Sequence, residues 1–480
     1  MIIETPKARK FPRTFWIRLF TIFFILLALL LSAFVFTNLW RDSNSSDFSR
    51  NSKSLGGRYY SYQQKVYVNI PVQGYYLLPG VNSASFQVYS SRYLAPLAKD
   101  NQSVFCGTHI IQGLQPDSVI YTSLGYISDG HNTYFCSQER KNPDYYWWHE
   151  IVHDNDYDNP DRPRRRDFIL SRVENVIYGN LHTWGENYLS DGLHLFYEGV
   201  MIPDADGGSV QLIHYGQGRL KDIVHDRYLA DNTRVYYQGQ PLPDANPDAF
   251  SAFSPDSDQW QTDYGRDTKT DTYYFGAIPF PKIIEGKETR GLSLLVADRD
   301  RANHELFINE NGIFYRDYQG KKFKCAGPNP FGSNNPQRIS ENYAAGVWAN
   351  AKDTIILSSY DVWGKKSRGL VSRNTVLSVL PDVSLSDWHL VETFERNGRV
   401  TGTLWRAKGN YYFSSTSARN IGMEESFYLV VDYPQFKQQL QQEKQITKTL
   451  KEQYLRSVRE MPEVNNISHA KSSYSFWNQI

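Results

Sequence analysis

Hydrophobic and polar positions change texture several times along this 480-residue chain. From Leu19 to Thr37 there is no charge, and Leu, Phe and Ile dominate. As a helix this stretch would extend roughly 28 Å, close to the ~30 Å hydrocarbon core of a bilayer, so residues 19–40 read as a transmembrane anchor. Arg41–Gly57 (RDSNSSDFSRNSKSLGG) holds six Ser and one aromatic residue, too little apolar surface to order itself, and reads as a flexible stalk. From residue 58 the apolar runs become short and are cut by Gly, Pro, Asn or Asp, as in Val66–Val88 (VYVNIPVQGYYLLPGVNSASFQV). That texture predicts strands joined by tight turns, and it persists to residue 432. Beyond Pro434, the residues Phe436, Leu440, Thr447, Leu450, Tyr454, Val458 and Met461 recur at three- and four-residue steps, as in an amphipathic helix. The stripe breaks at Glu443 and is thin, which suits a helix docked on the β body better than a coiled coil. Residues after Pro462 read as a loose tail whose Tyr474, Phe476 and Trp477 could tuck back.

One unit recurs within the β texture, and Tyr228–Phe250 (YLADNTRVYYQGQPLPDANPDAF) shows it most fully. An Asp is followed five and six residues later by an aromatic-type pair: Asp100 by Phe105 and Cys106, Asp129 by Tyr134 and Phe135, Asp191 by Phe196 and Tyr197, Asp231 by Tyr236 and Tyr237. Asp267 with Tyr273 and Tyr274 is one residue longer, and Glu310 with Phe314 and Tyr315 is a shorter, weaker echo. Pro-Asp stops follow in LQPDSV, IPDADGGSV and LPDANPDAF, and Leu380–Ser384 is a further remnant. The Asp and its polar followers make a hairpin turn through side chain to backbone bonds. The Val-Tyr-Tyr run is the return strand, Gly239 permits a second turn, and Pro243 ends the ladder by removing a donor. Units of about 30–40 residues that cannot hide their apolar face alone stack, or ring up as blades.

The predicted fold is therefore mainly β: an N-terminal transmembrane helix, then tandem β-hairpin repeats in a solenoid- or propeller-like array, then a C-terminal amphipathic helix. The segments are 1–18 (a cytoplasmic basic stretch), 19–40 (anchor), 41–57 (stalk), 58–290 (repeats, with an insertion at about 137–175), 291–432 (a second β-rich region or a diverged continuation) and 433–480 (helix and tail).

Charge sets the orientation. Lys7, Arg9, Lys10, Arg13 and Arg18 precede the apolar run against only Glu4, which places the N-terminus in the cytoplasm and the body outside, in the periplasm of the inner membrane. A cleaved signal peptide is the rival; the run is longer than an ordinary h-region, and no small-x-small site follows it. The whole chain carries 52 basic and 51 acidic residues, and a nearly neutral body makes no nucleic-acid binder. Phe, Trp and Tyr make up 15% of the chain, which favours strands. Of three cysteines, Cys106 and Cys136 hold nearly equivalent places in successive repeats, so they either pair as a disulfide or remain buried thiols; Cys325 is the odd one.

The string Asp, polar residues, Val-Tyr-Tyr, x-Gly and Leu-Pro-Asp-Ala-Asn resembles the repeat of the DKNYY family of bacterial envelope proteins. The likeness spans roughly residues 93–280, is best over Asp231–Phe250, and is looser at Asp100, where Cys106 replaces the second Tyr. It implies an envelope location and a repeat architecture, and no particular chemistry.

One motif points to catalysis. His149-Glu150-Ile151-Val152-His153 is an HExxH string, in which two His one helical turn apart can hold zinc and the Glu can act as base. The β-prone DYYWW before it and DNDYDNP after it argue instead for a strand or loop with surface His residues; Glu174 is a conceivable third ligand that nothing singles out. Asp154, Asp156, Asp158 and Asp161 alternate like a calcium loop, but Asn159 stands where Gly should and Arg165 where the bidentate Glu should. No cofactor is expected. The reading is a non-catalytic binding or scaffolding ectodomain whose partners are the membrane and another envelope protein, with a zinc hydrolase as the alternative.

Overall fold

Each repeat that carries the signature Asp is organised by that carboxylate, which closes its own turn. Asp231 is fully buried, and its Oδ1 accepts from the backbone N–H groups of Thr233 and Arg234 at 2.7 Å each, while its Oδ2 accepts from the Tyr236 hydroxyl at 2.7 Å. Asp100, Asp129, Asp191 and Asp267 bond the N–H groups two and three residues on in the same way. A short side chain succeeds here because one oxygen reaches both donors that the tight turn leaves over. After the aromatic residues the chain reverses through pairs with positive φ, Glu198-Gly199 and Gln238-Gly239, the I′ geometry that matches strand twist. In the stops, Pro fixes one turn residue and the following Asp takes the left-handed position: Asp204, Asp244 and Asp382 have φ of 58°, 56° and 57°.

The computed structural model describes residues 48–474, with 24, 25 and 28 before them, apart from 49, 72, 90–95, 147–158, 160–162, 217–222, 254–263, 297–301, 318, 320, 333–335, 341–345, 365–368, 416–426 and 444–445. The repeat is larger than the hairpin its signature suggests. It is a four-stranded antiparallel meander, in which the Asp turn joins the second and third strands and the Gly turn joins the third and fourth. The chain forms two compact units, residues 1–208 and 209–480, and the boundary expected near 290 falls inside the second.

Among the described residues the first unit holds four four-stranded antiparallel sheets, the first of them turning at Gln63-Gln64 rather than at an Asp. Sheet 1 runs through Lys53–Gly56, Tyr59–Tyr62, Lys65–Ile70 and Gly74–Leu78, and sheet 2 through Gln87–Val88, Leu97–Lys99, Val104–Cys106 and His109–Ile110. Sheet 3 comprises Tyr121–Ser123, Tyr126–Ser128, Thr133–Lys141 and Arg166–Val173, so the insertion lies between its last two strands; sheet 4 spans His182–Met201. In the second unit, sheet 5 (Gln211–Pro241), sheet 6 (Phe250–Pro279) and sheet 7 (Ser293–Gly327) repeat the pattern, with a hairpin at Ile283–Glu288. Sheet 8 (Gln337–Leu380) and sheet 9, which begins at His389, each have five strands.

A tyrosine on the second strand ties a sheet to its successor. The hydroxyl of Tyr59 donates to the Pro96 and Gly107 carbonyls of sheet 2, that of Tyr126 to the Asn187 carbonyl of sheet 4, and that of Tyr228 to the Gly276 carbonyl of sheet 6. These rings are among the most buried side chains of the protein, so the hydroxyl must find a partner, and the turn backbone supplies it.

Past residue 290 the repeat signature continues in disguise. Asn309 accepts from the N–H groups of Asn311 and Gly312, and Asn350 from those of Lys352 and Asp353. Asn309 stands five and six residues before Phe314 and Tyr315, so the turn residue is Asn309 rather than Glu310. The C-terminal region also differs from the single helix expected. It folds as α1 (Tyr433–Glu443) and α2 (Lys448–Tyr454), because Thr447 caps a new helix by accepting from the Leu450 N–H. Phe436, Leu440 and Leu450 do pack on sheet 9. The tail after Pro462 is not loose: Asn465–Ser473 is the fifth strand of sheet 8, paired along Leu370–Leu380. Its buried face is Ser468, Ala470 and Ser472, small residues that show no hydrophobic alternation.

The expected anchor at 19–40 lies, but for Phe24, Ile25 and Ala28, outside the described residues, and among the described residues no helix is long and apolar enough to cross a membrane.

Candidate functional site

The signature residues are spent on structure. Asp100, Asp191, Asp231 and Asp267 are buried in their turns, Tyr236 bonds Asp231, and Gly239 and Pro243 shape the reversals that follow. The structure brings Cys106 and Cys136 together as a disulfide between sheets 2 and 3, with Cα atoms 5.7 Å apart; Cys325 is a free thiol beside the Lys287 ammonium at 3.4 Å. His149, Glu150 and His153 lie outside the described residues, as do Asp154, Asp156, Asp158 and Asp161. Glu174 is exposed and faces Arg172 at 3.6 Å. Among the described residues no group of His, Cys, Asp and Glu is disposed to hold a metal ion.

One cavity of the first unit lies between sheets 2 and 3, the two sheets that the disulfide joins. It is an open cleft of about 680 Å³ between His109–Ile110, the outer strand of sheet 2, and Arg166–Val173, the outer strand of sheet 3. Gly107 lets the two sheets approach: it has φ of 57°, and a Cβ there would sit 2.0 Å from the Phe168 ring. At the centre stands Asp167. Its Oδ1 accepts from the Thr108 hydroxyl at 3.0 Å and the Phe168 N–H at 2.9 Å, and its Oδ2 meets the Arg164 guanidinium at 2.6 Å and the His109 Nε2 at 3.3 Å. Burial would raise the Asp167 pKa, but the bond from His109 and the Arg164 charge outweigh it and hold the carboxyl below its ordinary value. On the rim, Arg140 pairs with Glu198, whereas exposed Lys141 has no carboxylate partner among the described residues. Ile110 and Ile169 add exposed apolar surface, 43% and 40% accessible.

This arrangement suits holding a ligand better than transforming one. Asp167 is ionised and its oxygens are occupied, so it has no proton to give and little capacity to take one. The Thr108 hydroxyl donates to Asp167 rather than to His109, so no base activates it as a nucleophile. What remains free is positive charge and apolar surface. Sequence reasoning missed this cleft because its members come from two repeats and lie 59 positions apart (Thr108 to Asp167). The Arg run ending at Arg166, just before Asp167, was the available signal.

A second polar cluster is buried in the other unit. His304 is 2% accessible; its Nε2 donates to the Ser472 Oγ at 3.0 Å, and its Nδ1 accepts from the Thr375 hydroxyl at 3.0 Å. Ser472 in turn donates to Asp317 at 2.8 Å, and Lys324 meets the other oxygen of Asp317 at 2.6 Å. Burial outweighs the nearby Asp317 charge and pushes the His304 pKa down to about 4, so the ring is neutral. Enclosed and internally satisfied, the cluster pins the last strand of sheet 8 to sheet 7.

Fold and site together define a class: a β protein of tandem four-stranded sheets, keyed by Asp turns, with an open cationic cleft between two of them. Residues 59–277 match the model of the DKNYY family, which supports the likeness read from the repeat. Neither a curated protein nor a solved structure matches the chain.

Proposed function

We propose that this chain is a non-catalytic binding module, held at the cytoplasmic membrane by residues 19–40, whose β body engages another envelope protein on the outer side. The observation that carries the reading is the state of the cleft: its carboxylate is saturated by four partners, and cationic and apolar groups stay open to a ligand. The basic flank and apolar run of residues 1–40 support the anchor and its orientation. Crosslinking of the full chain in intact cells, against an anchor-only control, tests the module: specific recovery of an envelope protein is expected, and recovery no better than the control refutes it. Reporter fusions at the C-terminus test the orientation, and a cytosolic signal would overturn it.

A further inference from the structure

We propose that the outward face of sheet 1 lies on the headgroups of an anionic bilayer, an assignment that rests on residues 19–40 being the membrane anchor. Sheet 1 is the first in the chain, and one of its faces packs on its successor. Val66, Val68, Ile70 and Leu78 fill a core shared with Leu97 and Val104 of sheet 2. Side chains alternate across a strand, so the opposite face carries Tyr60 beside Tyr67, Tyr62 beside Lys65, and Tyr75. Phe48 seats on that face. It is 1% accessible, and its ring lies 4.9, 5.0 and 4.2 Å from those of Tyr62, Tyr67 and Tyr75. Tyr60, Tyr62 and Tyr75 remain half-buried.

The stretch that composition marks as a stalk, residues 41–57, is therefore shorter than expected. Phe48 is docked and Lys53–Gly56 is already a strand, which leaves residues 41–47 between the anchor and the body. Seven residues reach at most about 25 Å when fully extended. The six residues of Lys65–Ile70 alone span about 20 Å as a strand. The chain thus passes from the bilayer straight onto this face, and the connection is too short to let the face withdraw by much more than the length of one strand.

Charge favours anionic lipid. Residues 41–99 hold seven Lys and Arg against Asp42 and Asp47 alone, and both acids precede Phe48. An even spread of the 51 acidic residues over 480 positions would put about six there. Arg50, Lys53 and Lys65 are exposed, whereas Arg58 pairs with Glu139 at 3.3 Å. Basic side chains are drawn to an anionic surface, and tyrosine suits the headgroup level because its ring is apolar and its hydroxyl wet. An acidic protein would satisfy the charge, but only the bilayer is held within this reach in every copy of the chain.

Hydroxyl-radical footprinting of the full chain in lipid nanodiscs, read by mass spectrometry, tests the assignment. Discs of phosphatidylcholine alone are compared with discs in which about half is phosphatidylglycerol. Tyr60, Tyr62 and Tyr75 are expected to oxidise at least about threefold more slowly in the anionic discs, and the difference should vanish at about 1 M salt, where the screening length is about 3 Å. Exposed Tyr146 and Tyr178 of the same unit should not change. Lys53→Glu combined with Lys65→Glu, both at exposed positions, should abolish the difference with the circular-dichroism spectrum and thermal midpoint unchanged. Equal oxidation in the two lipids, or protection that survives the double charge reversal, would overturn the assignment. A chain that enters both kinds of disc with equal footprints loses this contact and keeps its anchor; a chain that enters neither loses both.

Discussion

Replacing Asp231 measures how much of the fold rests on a single turn. Asp231→Ala removes the acceptor of the Thr233 and Arg234 N–H groups, of the Thr233 hydroxyl at 2.8 Å, and of the Tyr236 hydroxyl. Thr233 and Arg234 are exposed, so water replaces part of what they lose, at about 0.5–1.5 kcal/mol each. Tyr236 is fully buried, and taking a buried acceptor from its hydroxyl costs about 1–3 kcal/mol more. The expected loss is thus roughly 2–6 kcal/mol, summed from these terms. Asp231→Asn keeps the Oδ1 contacts, and the Tyr236 hydroxyl can rotate to accept from the new amide, so about 1 kcal/mol is expected. The native Asn309 and Asn350 turns argue that an amide suffices. Hydrogen exchange of the backbone amides in Val224–Tyr237, read beside urea unfolding of the full chain, resolves the two variants. Equal damage from Asn and Ala, or a loss below about 1 kcal/mol in Asp231→Ala, would refute the reasoning.

Three further outcomes follow from the same packing. Breaking the disulfide with Cys106→Ser and Cys136→Ser releases a loop with a sequence separation of 30 and should destabilise the first unit by about 3–4 kcal/mol, read by differential scanning calorimetry with and without reductant. His304 titrates near pH 4 in the fold against an ordinary 6.5, so the unfolded chain takes up the proton first as pH falls. Its contribution is whole above pH 6.5 and declines by about 3 kcal/mol as pH drops to about 4; His304→Gln should flatten that part of the stability profile. Gly107→Ala should cost about 2–4 kcal/mol, because the new Cβ meets the Phe168 ring from a left-handed backbone position, and Phe168→Leu should restore part of the thermal midpoint.

Local rules reach far in this chain. The Asp-to-aromatic spacing, the Gly turns and the Pro stops depend on residues within a few positions of each other, so the strand and turn pattern, the mainly β class and the family likeness were legible from the residues alone. Where the chemistry was kept but the letter changed, the pattern disappeared from view: Asn309 and Asn350 close the same turn as Asp with one amide oxygen, and Ile355 and Ile356 stand where Tyr-Tyr would. The strand Asn465–Ser473 was hidden for another reason. Its buried Ser468, Ala470 and Ser472 are small, and Ser472 is satisfied by Asp317 and His304, residues far away in sequence. Hydrophobic alternation records burial only where burial is apolar.

Tertiary structure alone decided the rest. Four strands rather than two make the repeat, because in sheets 2, 4, 5 and 6 the first and fourth strands have only two to four residues and gain their identity by pairing. The cleft exists because Gly107 lets Phe168 close against the neighbouring sheet, which leaves two outer strands facing each other and sets His109, Thr108 and Arg164 around Asp167. No spacing rule links positions 59 residues apart; the chain fixes which turns form, and the packing of one sheet on the next fixes which side chains meet.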